Sequence, residues 1–331
     1  MPGDREQGIG NRGQVTGNRE QARRELRVYM SRSGLGLRAI ADRTGFAHRS
    51  LIQFVSAARY GVGEGAVTAA ALTDWMHGNP LPEPELPGRL YATAATREMD
   101  ELLGDIRDGG WGILYGPSGS QKTFFLEYRA AESPQDIIYI RASAAGMRPG
   151  TLLRRISAWI GAPYAQSIDA MRQNILFEAR RRRSPLALVI DESDHLYSWV
   201  ETLETLREIG DLARRKIGIL IAGNEKVEQI FENRRSCYLE KWRARIQQSS
   251  CRVQGATMDE AAEIFTAEVG RAKAGDIRDA LAGCRVADPR AAEPYVNMHR
   301  LFNTIREIKR ARAKAGSNVA AMRQEPLGRV V

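Results

Sequence analysis

The stretch that decides the fold runs from Trp111 to Thr123 and reads Trp111-Gly-Ile-Leu-Tyr115-Gly116-Pro117-Ser118-Gly119-Ser120-Gln121-Lys122-Thr123. Its first five residues form a short apolar run typical of a buried strand, and a helical pattern follows. Between them lies a glycine-rich turn, and a lysine with a hydroxyl residue opens the helix. In such a turn the lysine contacts the β- and γ-phosphates of a nucleotide, and the hydroxyl ligates Mg²⁺. Residues 116–123 are therefore predicted to bind nucleotide phosphates, with Mg²⁺ on Thr123.

Gln121 is the one departure from this loop pattern, which has glycine before the lysine. A side chain at this position is expected to crowd the loop or to force an unfavourable φ. The alternative is an ordinary glycine-rich turn between a strand and a helix, without a ligand. The succession of a strand, the loop and a helix favours the phosphate site.

Apolar runs of strand length recur after the loop, at Ile137–Ile140, Leu186–Ile190 and Ile217–Ala222, with Ser249–Gln254 as a shorter fifth candidate. The longer runs are nearly continuous in apolar residues, as strands covered on both faces are, which predicts a parallel sheet. Helical patterns lie between them, at Lys122–Ala131, Thr151–Ile160, Ala165–Arg183 and Val200–Arg214. We therefore predict an α/β sandwich, followed by a small all-helical lid over residues 257–315 with helices at Met258–Ala272, Asp276–Ala282 and Pro294–Ala313.

Polar residues follow the third and fourth predicted strands. Asp191 and Glu192 end the third, and Asn224 follows the fourth. An acid at the carboxyl end of a neighbouring strand can hold Mg²⁺, and a second acid can orient or deprotonate the attacking water. We assign Asp191 to the metal and Glu192 to the water. Asn224 would lie beside the γ-phosphate, although a plain turn is an equal alternative there.

The charge of the chain is concentrated at its ends. Of the 331 residues, 49 are basic and 40 acidic, which gives a formal net charge of +9. Residues 1–60 and residues 300–331 each carry a net charge of +6, around a near-neutral middle. That distribution suits nucleic acid contacted from the ends. An equally weighted alternative is genomic base composition, because the basic residues are mostly arginine.

Other compositional signals exclude several classes of protein. No run of 18 apolar residues exists, so we expect no transmembrane helix and no membrane partner. The first residues are polar, which predicts no secretory signal and a cytoplasmic location. The three cysteines show no paired spacing, so neither a zinc site nor a disulfide framework is expected.

Composition shifts divide the chain. Gly78–Gly88 (GNPLPEPELPG) holds four prolines and predicts a semi-rigid linker. The expected parts are a flexible basic arm over 1–18, a helix-turn-helix domain over 19–77, the linker over 78–90, an ATPase core over 91–255, the lid over 256–315 and a flexible tail over 316–331.

Residues 37–54 have the spacing of a helix-turn-helix. Ala41 is small where two helices would cross, and Gly45 lies at the turn four residues later. The second helix would expose four polar side chains near its start, where DNA bases or phosphates would be met: His48, Arg49, Ser50 and Gln53. A helical domain used for protein contacts is the alternative.

These residues together resemble the AAA+ ATPases. The order of parts is similar to the transposon target-selection ATPases, the family of the phage Mu B transposition protein. This order is an N-terminal helix-turn-helix, a proline-rich linker, a compact core and a short lid. The segment 188–196 (LVIDESDHL) is similar to the acidic strand of that family. The resemblance runs through residues 20–315, and it implies that Asn224 is the sensor 1 residue.

The resemblance also implies two arginine roles. Residues 238–246 (YLEKWRARI) resemble the segment that offers an arginine finger to a neighbouring subunit, with Arg245 as the first choice and Arg243 as the second. Residues 299–303 (HRLFN) resemble the sensor 2 motif, with Arg300 facing the phosphates.

The function implied is that of an ATPase using ATP and Mg²⁺, with weak activity stimulated by DNA or assembly. It would assemble as a ring or helical filament on double-stranded DNA, supply that DNA to a transposase, and activate the transposase. One alternative is an ATPase of the helicase-loader type. Another is a DNA-binding scaffold without hydrolysis, in which Gln121 marks a weakened nucleotide site.

Overall fold

The computed structural model describes residues 19–30, 33, 35–55, 64–80, 86–143, 147–196, 199–232, 239–246, 249–270 and 272–323. The predicted arm, part of the linker and the last eight residues lie outside the described residues. Five strands form one parallel sheet in the order β2-β3-β4-β1-β5: β1 (Trp111–Tyr115), β2 (Ile137–Arg141), β3 (Leu186–Asp191), β4 (Ile217–Ala222) and β5 (Ser250–Arg252). The predicted α/β fold with a parallel sheet is confirmed.

Helices cover both faces of this sheet and form the two ends of the chain. In the N-terminal part they are α1 (residues 19–30), α2 (Leu37–Thr44), α3 (His48–Val55) and α4 (Glu64–Gly78). In the core they are α5 (Ala94–Arg107), α6 (Lys122–Glu132), α7 (Pro149–Ile160), α8 (Ile168–Arg181), α9 (Val200–Leu212), α10 (Glu225–Glu232) and α11 (Glu240–Ile246). The lid contains α12 (Met258–Val269), α13 (Ala274–Ala282) and α14 (Met298–Arg323).

The continuous apolar strands are explained by two separate cores. Along β3, Leu186, Leu188 and Ile190 pack on the side of α7, α8 and α9, whereas Ala187 and Val189 pack on the side of α5 and α6. Because successive side chains of a strand point to opposite faces, both sets must be apolar. The strand therefore shows no alternation in its sequence.

The lid departs from the prediction in two ways. A short antiparallel hairpin, β6 (Arg285–Val286) with β7 (Tyr295–Val296), interrupts a region expected to be purely helical. The last helix begins at Met298, behind Pro294, and continues to Arg323, so residues 316–323 are helical where a flexible tail was expected. Proline suits a position before a helix. The helix continues through Gly316 and Asn318, residue types that more often end one.

Strand order decides which loops meet. All strands of the sheet are parallel, so their carboxyl ends share one edge. β4 lies between β1 and β3, which brings Asn224 between the loop at Gly116 and the acids at Asp191. Ligands of parallel α/β sheets bind at this edge.

The N-terminal helices form their own small core. Ile40, Leu51 and Phe54 are fully buried there, and Ala41 is buried beside them. The turn after α2 passes through Gly45 at a φ of 73°, a left-handed conformation that favours glycine.

Arg27 joins these helices to the core. This residue of α1 is buried, with 8% exposure, and donates hydrogen bonds to the carbonyl oxygens of Val55 at the end of α3 and of Gly161 after α7. Desolvation by burial lowers the pKa of Arg27. Nearby, Arg24 pairs with Glu178 of α8 at 2.9 Å.

Among the described residues, no helix has both the length and the apolar character that a membrane crossing requires.

We expect Arg27→Ala to loosen the contact between α3 and the core. The substitution leaves two carbonyl groups without their donor, and an unsatisfied buried polar group costs roughly 1–3 kcal/mol. Hydrogen exchange followed by mass spectrometry should be faster in peptides covering residues 51–55. Arg38→Ala, at an exposed arginine of α2, is the control and should leave the exchange unchanged. Wild-type protection in Arg27→Ala would contradict the anchoring role.

Candidate functional site

A cavity of about 1160 Å³ opens at the carboxyl edge of the sheet, between the core and the lid. The loop 118–123 and the start of α6 form one wall, and the ends of β3 and β4 form the floor. A second wall is formed by one face of α14, together with residues 87–89 and Tyr91. The cavity contains the predicted phosphate loop and the predicted acids.

Two glycines of the loop are fixed by close packing. Gly116 has a φ of 148°, and a Cβ there would lie 2.0 Å from the carbonyl oxygen of Val253. Gly119 has a φ of 87°, and a Cβ there would lie 2.4 Å from the amide group of Asn297. No other residue fits either position without moving the loop.

Four carbonyl oxygens of the loop, those of residues 116–119, have partners within the protein. Those of Gly116 and Pro117 accept hydrogen bonds from Lys122 Nζ at 2.9 and 3.0 Å. The carbonyl oxygens of Ser118 and Gly119 accept hydrogen bonds from the lid. Asn297 Nδ2 donates to Ser118 O at 2.9 Å, and the N–H of Met298 donates to Gly119 O at 3.0 Å. The start of α6 has no side-chain cap. Its unpaired N–H groups are therefore available to an anion.

Lys122 is a desolvated cation. Its side chain is buried, and it donates to Gly116 O, Pro117 O and Ser120 Oγ. Within the described part of the chain, no carboxylate forms an ion pair with it. Burial lowers the pKa of Lys122 to about 8, and the nearby Asp191 carboxylate partly opposes this shift. A buried ammonium group without a counter-ion is what a phosphate group would stabilise.

Gln121 adopts the left-handed conformation that glycine favours. Its φ is 65° and its ψ is 10°, so the expectation of an unfavourable φ is confirmed. For a residue with a Cβ this conformation costs roughly 1–2 kcal/mol. The loop keeps its shape at that cost.

Asp191 lies at the end of β3 and is 1% exposed. One carboxylate oxygen accepts a hydrogen bond from Tyr139 Oη at 2.8 Å, and the other accepts from the N–H of Glu192 at 2.9 Å. Burial, with the Asp191 charge as the next cause, raises the pKa of Tyr139, so the phenol stays a donor. A carboxylate and the Thr123 hydroxyl, both lining one cavity, are the oxygen ligands that Mg²⁺ prefers. The residues present therefore fit the metal.

Glu192 follows directly and has a φ of 55°. Its carboxylate pairs with Arg141 at 2.8 Å, and in the sheet Arg141 is opposite Asp191. Because β2 lies on the side of β3 away from β1, this ion pair holds the Glu192 carboxylate on the side away from the phosphate loop.

Asn224 lines the cavity and begins α10. Its Oδ1 accepts the N–H of Lys226 at 2.8 Å, which satisfies one of the first amides of the helix. This leaves the amide N–H groups of Asn224 as donors for a ligand.

Arg300 does not face the cavity, contrary to the expectation from the resemblance. It is exposed, and the cavity face of α14 contains instead His299, Asn303 and Arg306. Residues three to four apart share a helix face, so Arg300, one residue after His299, turns about 100° away. His299 and Asn303 are hydrogen-bonded to each other at 3.1 Å.

Arg245 lies at the other end of the core. Its Nε pairs with Asp211 at 2.7 Å, and its guanidinium group lies 5.3 Å from the ring centre of Trp111. Trp111 begins β1, and the cavity opens after its end, about 13 Å farther along a five-residue strand. Arg245 therefore cannot reach the cavity of its own chain. The second choice, Arg243, is half-buried, with Nη1 3.4 Å from the carbonyl oxygen of Phe231.

The four predicted DNA contacts lie on α3. His48, Arg49 and Gln53 are exposed, and Ser50 is half-buried. They are separate from the cavity.

Residues 106–231 match a family model described as an AAA domain. This match covers the phosphate loop, the acids of β3 and Asn224. The chain is thus similar to AAA domains over residues 106–231.

Solved structures also resemble the chain. Cdc6p from Pyrobaculum aerophilum has a TM-score of 0.48 and 20% identity, over 72% of this chain and 65% of that chain. AMPPCP-bound DnaA from Aquifex aeolicus has a TM-score of 0.47 and 13% identity, over 69% and 65%. The Aeropyrum pernix Orc1 protein in complex with DNA has a TM-score of 0.40 and 17% identity, over 72% and 70%. The chain therefore spans less than two thirds of Cdc6p and DnaA. No curated protein matches the sequence.

Sequence reasoning missed three residues that hold the loop and the acids of the cavity in place. Tyr139 holds Asp191, Arg141 holds Glu192, and Asn297 holds the loop to the lid. The first two lie on β2, which pairs with the acidic strand, so their positions follow from the strand order. Asn297 has no comparable signal, because the sequence does not show that the lid meets the loop.

We expect Gln121→Gly to stabilise the core by roughly 1 kcal/mol, because glycine tolerates the left-handed conformation. The free energy of unfolding in urea measures the change. Gln121→Ala is the matched control, since it removes the side chain but keeps the Cβ, and it should give no gain. A Gln121→Gly variant that is less stable than wild type would show that the glutamine side chain supports the loop.

Proposed function

We propose that this chain binds and hydrolyses ATP with Mg²⁺, assembles on duplex DNA, and supplies that DNA to a transposase, which it activates. The observation that carries the nucleotide part is Lys122. It is a buried cation without a carboxylate partner in the described residues, and it adjoins a loop in which the carbonyl oxygens of residues 116–119 are hydrogen-bonded to the protein. A triphosphate would supply the missing negative charge.

In the hydrolysis step that we propose, Glu192 orients the attacking water and takes its proton. Thr123 and Asp191 would hold Mg²⁺, which supplies positive charge beside the phosphates. Asn224 would donate its amide N–H to a γ-phosphate oxygen. Before it can act, Glu192 must leave Arg141, so the ion pair between them keeps the nucleotide-free site inactive.

The proposal of DNA binding rests on charge and on the direction of α3. Arg23 and Arg27 of α1 donate to the carbonyl oxygens of Phe54 and Val55, so the carboxyl end of α3 lies against α1 and the core. The start of the helix, with its exposed polar residues, therefore lies about 10 Å farther out. Helix-turn-helix proteins read DNA with the first residues of this second helix.

Assembly is proposed because the site needs a group that its own chain does not supply. Arg245 lies too far from its own cavity to act there, and a neighbouring subunit could use it. At rest it is paired with Asp211, and that ion pair would have to open for the arginine to serve as a finger.

The transposase as partner rests on the resemblance in the order of parts. The first alternative is an ATPase that loads a helicase, and the second is a DNA-binding scaffold without hydrolysis. The N-terminal helices favour the transposase partner over helicase loading, because a domain that reads duplex DNA is suited to capturing target DNA. Release of phosphate, measured with and without duplex DNA, separates the enzyme from the scaffold.

Two substitutions separate nucleotide binding from hydrolysis. Lys122→Ala should abolish ATP binding in a titration calorimeter, whereas Lys226→Ala, at an exposed lysine next to the site, should bind as wild type.

Glu192→Gln keeps size and hydrogen bonding, so it should bind ATP and duplex DNA while turnover falls roughly 10²–10⁴-fold. The proposal that the chain binds nucleotide would be wrong if the wild-type protein showed no ATP binding at millimolar concentrations, since specific binding is rarely weaker than this.

A mixing experiment tests Arg245. Alone, Lys122→Ala and Arg245→Ala should each be inactive, because an arginine finger contributes roughly 10³–10⁵ in rate. In mixed assemblies, some interfaces pair an intact site with an intact finger, so phosphate release should partly return. No recovery in mixtures that demonstrably co-assemble would exclude Arg245, and Arg243 would be tested in the same way.

A further inference from the structure

The cavity face of α14 changes in chemistry along the helix. Near the loop it presents His299 and Asn303, and farther out it presents Arg306, Lys309 and Arg310. Lys309 is paired with Glu268 of α12. Arg306 contacts only Asn303, at 3.3 Å, and Arg310 has no hydrogen-bond or ion-pair partner among the described residues. Two arginines therefore lie at this outer end without a carboxylate.

A nucleotide bound as proposed does not account for these cations. Its phosphates lie at the loop, next to Lys122, whereas Arg306 is eight residues into α14, about 12 Å along the helix from Met298. The base and ribose that would extend toward the lid are uncharged. The positive charge at the outer end of the cavity is therefore available to another anion.

Beyond Ile308 the described side chains of α14 contact α12 through polar groups, since Lys309 pairs with Glu268 and Arg312 donates to the carbonyl oxygen of Val269. Ile308 is the last residue of α14 that packs on the lid core, and the side chains of residues 309–314 are exposed on every side of the helix. Residues 306–314 contain five basic residues and one acid, Glu307. A helix that is polar all round and projects from a domain is suited to a partner rather than to its own core.

We infer that the outer half of α14, residues 306–314, binds the phosphate backbone of duplex DNA. This inference rests on the proposed function and adds a second DNA contact beside α3. The segment is about 12 Å long, over which B-DNA carries about seven phosphate charges. Because Asn297 and Met298 at the start of the same helix hold the phosphate loop, DNA on the outer half and nucleotide at the loop bind opposite ends of one rigid element.

The test compares two double variants of the full chain. Arg310→Gln with Lys314→Gln removes two cations of the segment. Arg278→Gln with Arg285→Gln removes two exposed arginines elsewhere in the lid and serves as the control of equal charge. Arg312 is left in place because it donates to the carbonyl oxygen of Val269 at the end of α12. Fluorescence anisotropy of labelled duplex DNA, over a salt series and with a non-hydrolysable ATP analogue, gives the affinity and its salt dependence.

The Arg310/Lys314 variant should bind duplex DNA at least roughly tenfold more weakly, and the slope of log K against log salt should fall by about 1.8, or 0.9 per lost phosphate contact. The control should keep the wild-type slope. Exchange of the two residues, Arg310→Lys with Lys314→Arg, should restore it, which excludes misfolding as the cause. The change in nucleotide affinity caused by DNA should also shrink in the glutamine variant, because binding coupling is reciprocal.

Equal slopes for the two glutamine variants would overturn the inference, since the effect would then be one of overall charge. A wild type that binds no duplex DNA would overturn the DNA part of the proposed function itself. A wild type that binds while Arg310/Lys314→Gln is unchanged would leave the proposed function standing and refute only the site on α14.

Discussion

Two glycines of the phosphate loop lie in contacts so close that a Cβ at either position would clash. Gly116 lies against the carbonyl oxygen of Val253 beside β5, and Gly119 lies against Asn297 at the start of α14. One side of the loop is thereby fixed to the sheet and the other to the lid. The four loop carbonyls are taken up by these contacts and by Lys122, so the N–H groups are left for a ligand. The cavity, its charge and its position between core and lid all depend on this packing.

The side chains that the proposed reaction would use are bound to other groups of the chain. Lys122 donates to carbonyls of its own loop, Glu192 pairs with Arg141, and Arg245 pairs with Asp211. Each contact competes with a functional one: phosphate for Lys122, water for Glu192 and a neighbouring site for Arg245. The ion pairs of Glu192 and Arg245 are partly exposed, so opening them costs little. Under the proposed function, these contacts would keep the activity low until DNA and neighbouring subunits are present.

Sequence reasoning located the sheet because buried parallel strands leave continuous apolar runs. β1 and β4 begin and end at the predicted residues, and β2 and β3 are each one residue longer. The helix α5 escaped notice, although Thr93 and Thr96 form a capping box at its start. Within the cavity, the loop and the acids could be found because their chemistry needs fixed spacings. Tyr139, Arg141 and Asn297 could not, because they act through contacts between distant segments. Arg300 was misplaced because a motif gives a position along α14 but not the direction in which the side chain points.

The link from Asn297 and Met298 to the loop has a mechanical consequence. α14 contains 26 residues and is therefore about 39 Å long. Its first turn is attached to the part of the loop that would close around phosphates, and its far end projects from the lid. Because α14 packs on the lid core as far as Ile308, it would move together with the lid. A rotation of the lid by about 10° about Met298 would sweep the other end of the helix through about 7 Å, by the rise of an α-helix. Under the proposed function, the loss of one phosphate group at the loop would thus be amplified into a displacement of several ångströms at the far end of α14.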